Sequence, residues 1–153
     1  SPAYKARLAN PTEWSKKTMA RFRNMIRVVA RVTISRGRGR GAALGVVRLR
    51  CAPGNENTLR SALQAFDPLF GDGVISMHLI ESDGALSGPT AEIPAAANPG
   101  ASDWFALIDA TDTHAASVAV ALLADGGPFK SAVISSGSYR LMWDLAKGDI
   151  PLL

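Results

Sequence analysis

From Gly41 onward the hydrophobic period of this chain switches repeatedly between two and about 3.6, and the order of those switches leaves few folds open. Ala42 to Arg50 (AALGVVRLR) is strand-like, and the turn Ala52-Pro53-Gly54-Asn55 follows it. Thr58 to Phe66 carries Leu59, Leu63 and Phe66 at helical spacing behind an Asn55 or Asn57 cap. Gly71-Asp72-Gly73 breaks the chain before Val74 to Glu81 (VISMHLIE), a strand rich in β-branched residues. The Gly-, Pro- and Ala-rich stretch Ser82 to Gly100 reads as a loop, and Trp104 to Thr111 (WFALIDAT) as a third strand. Asp112 or Thr113 then caps a helix over Ala115 to Leu123, Asp125-Gly126-Gly127 closes it, and Ala132 to Trp143 supplies the fourth strand. The sequence therefore predicts an α+β domain over residues 41–153 in the order βαββαβ. That is a ferredoxin-like sandwich, a four-stranded sheet with both helices on one face.

Such a sheet has a second face to account for. Along the Val74 strand one parity is Val74, Ser76, His78 and Ile80, and the other is Ile75, Met77, Leu79 and Glu81. Neither side is plainly built for solvent. With 153 residues, 47% of them hydrophobic, the chain has enough for a real core, and both faces of the sheet want cover. A sister sheet in a homodimer, or a helix from upstream, is expected to close the second face.

Upstream lies a basic extension, residues 1–40. Through Arg50 the chain carries thirteen Lys and Arg against one acid, Glu13, whereas Cys51 to Leu153 carries four basic residues against twelve acids. A segregation this steep gives the leader an anionic partner, either the chain's own body or another molecule. Asn10, Pro11 and Glu13 fit the N-cap and the first and third positions of a helix, which is expected to run from near Pro11 to about Arg31. At 100° steps Trp14, Met19, Phe22, Met25, Ile26, Val29 and Val32 share one stripe. Lys16, Lys17, Arg23, Arg27 and Arg31 lie opposite it, with Arg21 at the border. A basic amphipathic helix of this kind buries its stripe on its own or a sister subunit, docks in a partner's groove, or adsorbs to an anionic membrane.

The segment Ser35 to Gly41 (SRGRGRG) follows, and its arginines Arg36, Arg38 and Arg40 extend the partner-binding set of the arm. The run reads as a flexible linker or a contact to an acidic protein surface. Nucleic acid is not expected as its partner, because one short Arg-Gly run without interleaved aromatics lacks the stacking platforms of single-strand binders. It also lacks the Lys-Ser/Thr pair of a nucleotide-cradling loop. A lone cysteine, Cys51, excludes an internal disulfide and every multi-cysteine zinc pattern. No metal or cofactor is expected. Neither a bilayer-length apolar run nor a signal-peptide pattern is found in the sequence, which makes the cytoplasm the default location.

Three segments, VISMHLIESD (Val74 to Asp83), DWFALIDATD (Asp103 to Asp112) and SGSYRLMWDL (Ser136 to Leu145), occur in that order around the two helices. In that arrangement the chain resembles the dimeric α+β barrel superfamily, which includes stress-responsive and ethyl-tert-butyl-ether-degradation-type domains. The NPTEW segment, Asn10 to Trp14, placed before an arginine-rich helix, is similar to a bacterial branch of such proteins. The resemblance implies sheet-on-sheet homodimerisation and a pocket for a small apolar or aromatic compound between sheet and helices. It implies no particular activity. Haem-handling members use an iron-binding histidine, and neither His78 nor His114 falls at a matching position.

The pocket residues expected on this basis are Ser76, His78, Trp104, Tyr139 and Trp143. His78, held mid-strand, is a candidate general base or ligand-contacting group, against the plainer role of a satisfied core or interface histidine. Tyr139 is the second catalytic candidate; with Arg140 it suits a carbonyl or carboxylate, and Asp109 and Asp112 lie nearby on the third strand and its end. The strand AALGVVRLR lacks the exposed aromatic of an RNA-recognition motif, and Cys51 has no histidine to activate it. Two functions follow. The first is a non-catalytic or accessory subunit, or a small-molecule-binding barrel, assembling through its basic arm with an acidic surface that a larger enzyme subunit would provide. The second is a small cofactor-independent enzyme performing proton transfer or oxygenation on an aromatic or keto compound.

Overall fold

The computed structural model describes residues 6, 9–23, 28–87, 100–126 and 129–142. Helix α1 (Glu13–Met19) is followed by β1 (Ala30–Gly37), β2 (Ala43–Leu49), α2 (Glu56–Ala65), β3 (Val74–Ser82) and a single turn, α3 (Gly84–Ser87). Strand β4 (Trp104–Ala110), helix α4 (Thr113–Asp125) and β5 (Val133–Arg140) complete the chain. The five strands form one open antiparallel sheet in the order β1-β3-β4-β2-β5. This is an α+β fold, but its five-strand order is not that of a four-stranded ferredoxin-like sheet, because β1 adds an edge beside β3.

The two faces of the sheet differ as their sequences dictate. On one, Ala43, Val47 and Leu49 of β2, Trp104, Ala106, Ile108 and Ala110 of β4, and Met77 and Leu79 of β3 are buried. Leu59 and Leu63 of α2 and Ala119, Val120 and Leu123 of α4 join this core, and Phe129 meets Phe66 edge-on at 6.0 Å. Alternation in β2 and β4 is strict, so each strand commits one parity to the helices. Asp112 caps α4 through the Ala115 amide at 2.9 Å, as its sequence position predicts.

The largest departure from the sequence-based expectation lies between Met19 and Gly37. The first helix ends at Met19, and its N-cap is Thr12, which accepts from the Ser15 amide, rather than Asn10. Arg31 and Arg36, expected on a helix and in a loop, belong to β1, paired antiparallel with β3 from Ala30↔Ser82 to Gly37↔Ser76. The segment VVARVTI holds five β-branched residues in seven, which favours extended backbone, and the free edge of β3 supplies the ladder that fixes it. The β1 entry is anchored as well: the Val29 amide donates to the Ser87 hydroxyl at 2.8 Å, and the Asp83 amide to the Val29 carbonyl at 2.8 Å. Met25 and Ile26 of the expected stripe, and Arg27 expected opposite it, lie outside the described residues.

The Arg-Gly run is correspondingly not a loose linker. It carries the chain from β1 to β2 across the ends of β3 and β4, three strand spacings or about 14 Å. Six residue steps reach at most about 20 Å, so the connection is close to taut. Gly37 has φ +74°, and a Cβ there would stand 2.2 Å from the Ile75 carbonyl oxygen; at Gly41 a Cβ would stand 1.9 Å from that of Ala110. These glycines let the backbone of the run lie against the backbone of the sheet.

Candidate functional site

The face of the sheet turned away from α2 and α4 is open, whereas the sheet–helix side on which a pocket is expected holds the packed core, and the strand register arranges the open face in rows. Ser76, Asp109, Leu44 and Tyr139 lie across β3, β4, β2 and β5 in one row. Ser35, His78, Leu107, Val46 and Gly137 form the next, starting on β1. Val32, Ile80, Phe105, Arg48 and Ser135 form the third. The middle of the face is thus apolar, with Leu44, Val46, Ile80, Phe105 and Leu107 all half-buried.

Ser76 is fully buried and performs a structural task. Its hydroxyl lies 3.0 Å from the Gly39 carbonyl and 3.2 Å from Asp109 Oδ2, two acceptors for one proton. Asp109 Oδ1 in turn accepts from the Gly41 amide at 3.3 Å. Ser76 and Asp109 together clamp the Arg-Gly segment onto the sheet end. His78 is half-buried, its Nδ1 3.0 Å from the Ser35 hydroxyl on β1.

The sequence-predicted pocket is not assembled as one site. Ser76 and His78 share the open face, but Trp104 points the other way into the core, where Arg60 stacks over its ring at 5.5 Å. Trp104 is one residue out of phase with Phe105, the aromatic that does face the open side. Tyr139 lies on β5, separated from β3 by β4 and β2, or about 14 Å across the sheet. The two catalytic candidates, His78 and Tyr139, therefore do not meet. Trp143 lies outside the described residues. His114 is exposed in the first turn of α4.

Several arginines of the leader are engaged by the chain's own body. Arg36 donates to the carbonyls of Gln64 and Phe66, the open end of α2, and stacks over Phe70 at 5.1 Å. A cation on the last carbonyls of a helix is favourably placed. Arg31, itself exposed, pairs with the mostly buried Asp83 at 2.9 Å, and Lys16 pairs with Glu13 at 2.7 Å in an exposed contact worth little. Arg38 is exposed, with no ion-pair partner among the described residues. On α1 the apolar stripe is uncovered, Trp14 being 75%, Met19 55% and Phe22 59% exposed, beside Lys17, Arg21 and Arg23.

Two charged clusters escaped the sequence reading. Asp103 is completely buried and receives Arg48 Nε at 2.5 Å and Arg50 Nε at 2.8 Å, which raises the Arg50 guanidinium further above its ordinary range. Their signal was the Arg-x-Arg ending of β2 opposite an acid that opens β4. Glu81 holds Arg60 in a two-pronged pair at 2.7 and 2.8 Å and accepts from Thr33 at 2.6 Å. The Arg60 contact, followed by that of Thr33, pulls the Glu81 carboxyl below its usual range against the opposing effect of burial. Cys51 borders a cavity of about 260 Å³ with Arg50, Asn55, Thr58 and Ser131, and burial pushes its thiol up, away from thiolate chemistry.

Among the described residues no group of three or more His, Cys, Asp or Glu is placed to hold a metal, and no helix is long and apolar enough to cross a membrane. Comparison with protein-family profiles, with curated proteins and with solved structures finds nothing that matches this chain. What stands on the chain's own geometry is an α+β protein with one helix-covered and one open sheet face.

Proposed function

We propose that this protein is a non-catalytic, small-molecule-binding or accessory subunit that works as a homo-oligomer joined through the open face of its sheet. The observation that carries this is the contiguous apolar centre of that face, Val46, Ile80, Phe105 and Leu107, on a sheet whose opposite side already holds the core. An exposed apolar patch of this kind is characteristic of an interface, and two such sheets bury one another. The inner strands taken alone run β3-β4-β2-β5, with α2 and α4 as the crossovers. That is the ferredoxin-like order, and it supports the dimeric α+β barrel assignment with β1 as an addition.

The arm contributes a second contact. With Arg31 and Arg36 engaged internally, the part turned outward is Trp14, Lys17, Met19, Arg21, Phe22 and Arg23, an apolar strip edged with cations that suits an acidic protein surface. The alternative of a small cofactor-independent enzyme requires an acid–base pair on one substrate, and the separation of His78 from Tyr139 argues against it.

Sedimentation of the full chain tests the proposal. A dimer is expected at micromolar concentration. Val46→Arg, which sets a charge in the centre of the open face, is expected to give a monomer with an unchanged far-ultraviolet circular dichroism spectrum. A wild-type monomer at 100-fold higher concentration, or a Val46→Arg dimer, would falsify it.

A further inference from the structure

We propose that the cavity at the outer corner of β2 and β5 binds a small organic carboxylate with an aromatic or branched apolar body. The inference deepens the binding-protein reading of the preceding section and rests on it, but it does not depend on dimerisation. The cavity has a volume of about 260 Å³ and is lined by Arg40, Leu44, Asp109, Tyr139, Arg140 and Leu141. Three of these, Leu44, Asp109 and Tyr139, are one row of the open face. Leu141 is tied to the corner by its amide, which donates to the Ala42 carbonyl at 2.8 Å.

Leu44, Leu141 and the Tyr139 ring give the cavity an apolar wall, and both Tyr139 and Leu141 remain at least half exposed. The tyrosine is seated rather than loose. A Cβ at Gly137 would stand 3.1 Å from its hydroxyl and 3.3 Å from Cζ, so the ring lies over the one position of β5 that has no side chain beneath it. A flat, half-exposed ring fixed in this way is a ready stacking surface.

Charge decides which apolar molecule fits. Arg140 brings a permanent positive charge to the rim, while Arg40 beside it is engaged in a contact of its own. Asp109 brings one negative charge, and each of its oxygens is already taken, by the Gly41 amide and the Ser76 hydroxyl. The acid of the lining thus faces inward to the clamp, and the guanidinium fork of Arg140 is the natural partner of a carboxylate. The volume amounts to roughly nine waters' share of liquid, below the range of drug-sized pockets, which sets the ligand at about the size of one ring with its acid group.

Isothermal titration of the full chain with sodium benzoate, benzyl alcohol and inorganic phosphate separates the contributions. Saturable one-site benzoate binding is expected, with benzyl alcohol and phosphate each about tenfold weaker because each lacks one half of the match. Arg140→Gln and Tyr139→Ser, both at exposed positions, are each expected to weaken benzoate about tenfold while keeping the wild-type circular dichroism spectrum. Absence of saturable benzoate binding, phosphate binding as tightly as benzoate, or undiminished benzoate affinity in both variants would overturn the proposal. A dimer that fails to bind benzoate refutes this inference alone, whereas a monomer that binds it refutes only the assembly.

Discussion

Replacing Gly37 by alanine asks whether the Arg-Gly run is a building element of the fold or a detachable basic linker. The residue sits at φ +74°, where an L side chain costs about 1–2 kcal/mol. Its added Cβ would lie 2.2 Å from the Ile75 carbonyl oxygen and 2.9 Å from the Ser76 Cα, both backbone atoms of a central part of the sheet. Relieving that overlap requires β1 to move off β3, at a further cost of about 1–3 kcal/mol. The alanine recovers only about 0.4–1 kcal/mol by restricting the unfolded chain. The net expectation is a loss of about 1–4.5 kcal/mol, whose middle corresponds to about 8 °C in melting temperature for a chain of this size. Urea unfolding with an unchanged m-value reads this directly, and Arg38→Ala, at an exposed arginine in the same run, is the control expected within about 0.5 kcal/mol of wild type. A Gly37→Ala protein as stable as that control would mean that β1 does not dock where described, and the structural role assigned to the run would fall with it.

Two further outcomes follow from the buried charges. Asp103→Asn removes the negative partner of both Arg48 and Arg50; two charge-assisted hydrogen bonds are worth about 1.5–3 kcal/mol each, and water recovers part of that at Arg50, leaving a loss of about 2–3 kcal/mol by thermal melting. A change under about 0.5 kcal/mol would contradict the placement of that carboxylate. Glu81 has a folded-state pKa below its unfolded value, so its pairing with Arg60 stabilises the protein fully above the ordinary carboxyl range, about pH 4.3, and the contribution disappears as pH falls through the lowered value. The stability gap between wild type and Glu81→Gln is therefore expected to close on acidification, and a gap constant between pH 7 and pH 3 would refute the linkage.

How much of this was legible depended on how local each determinant is. The strand character of β2 and β4 and the cap at Asp112, one of two expected, follow from composition and turn chemistry within a few residues, and the structure bears them out; of the expected βαββαβ sandwich it bears out the α+β class, with β1 and the α3 turn added. Residues 30–37 did not yield to the same logic, since the apolar positions of RVVARVTI satisfy helical spacing nearly as well as strand alternation. Trp104 and Phe105 show the same ambiguity at the level of one residue. Both are aromatic and adjacent, and only the pairing register says which of them enters the core. Ser76 was singled out for a pocket between sheet and helices, yet it lies buried on the other face of the sheet; its bonds to Gly39 and Asp109 depend on a loop thirty-seven residues away that no short-range pattern reports.

By itself the sequence determined the helix or strand character of the elements from β2 onward apart from the α3 turn, the basic leader, and a sheet with neither face plainly built for solvent, because side-chain period, turn residues and net charge act over short stretches of chain. The tertiary structure alone decided that β1 completes the sheet, that Arg36 and Arg31 serve the chain's own body, and that Arg140, Tyr139 and Asp109 border one cavity. Those outcomes depend on which strand edge is free and which backbone groups still lack a partner once the sheet has formed, and that information is distributed across residues far apart in the chain.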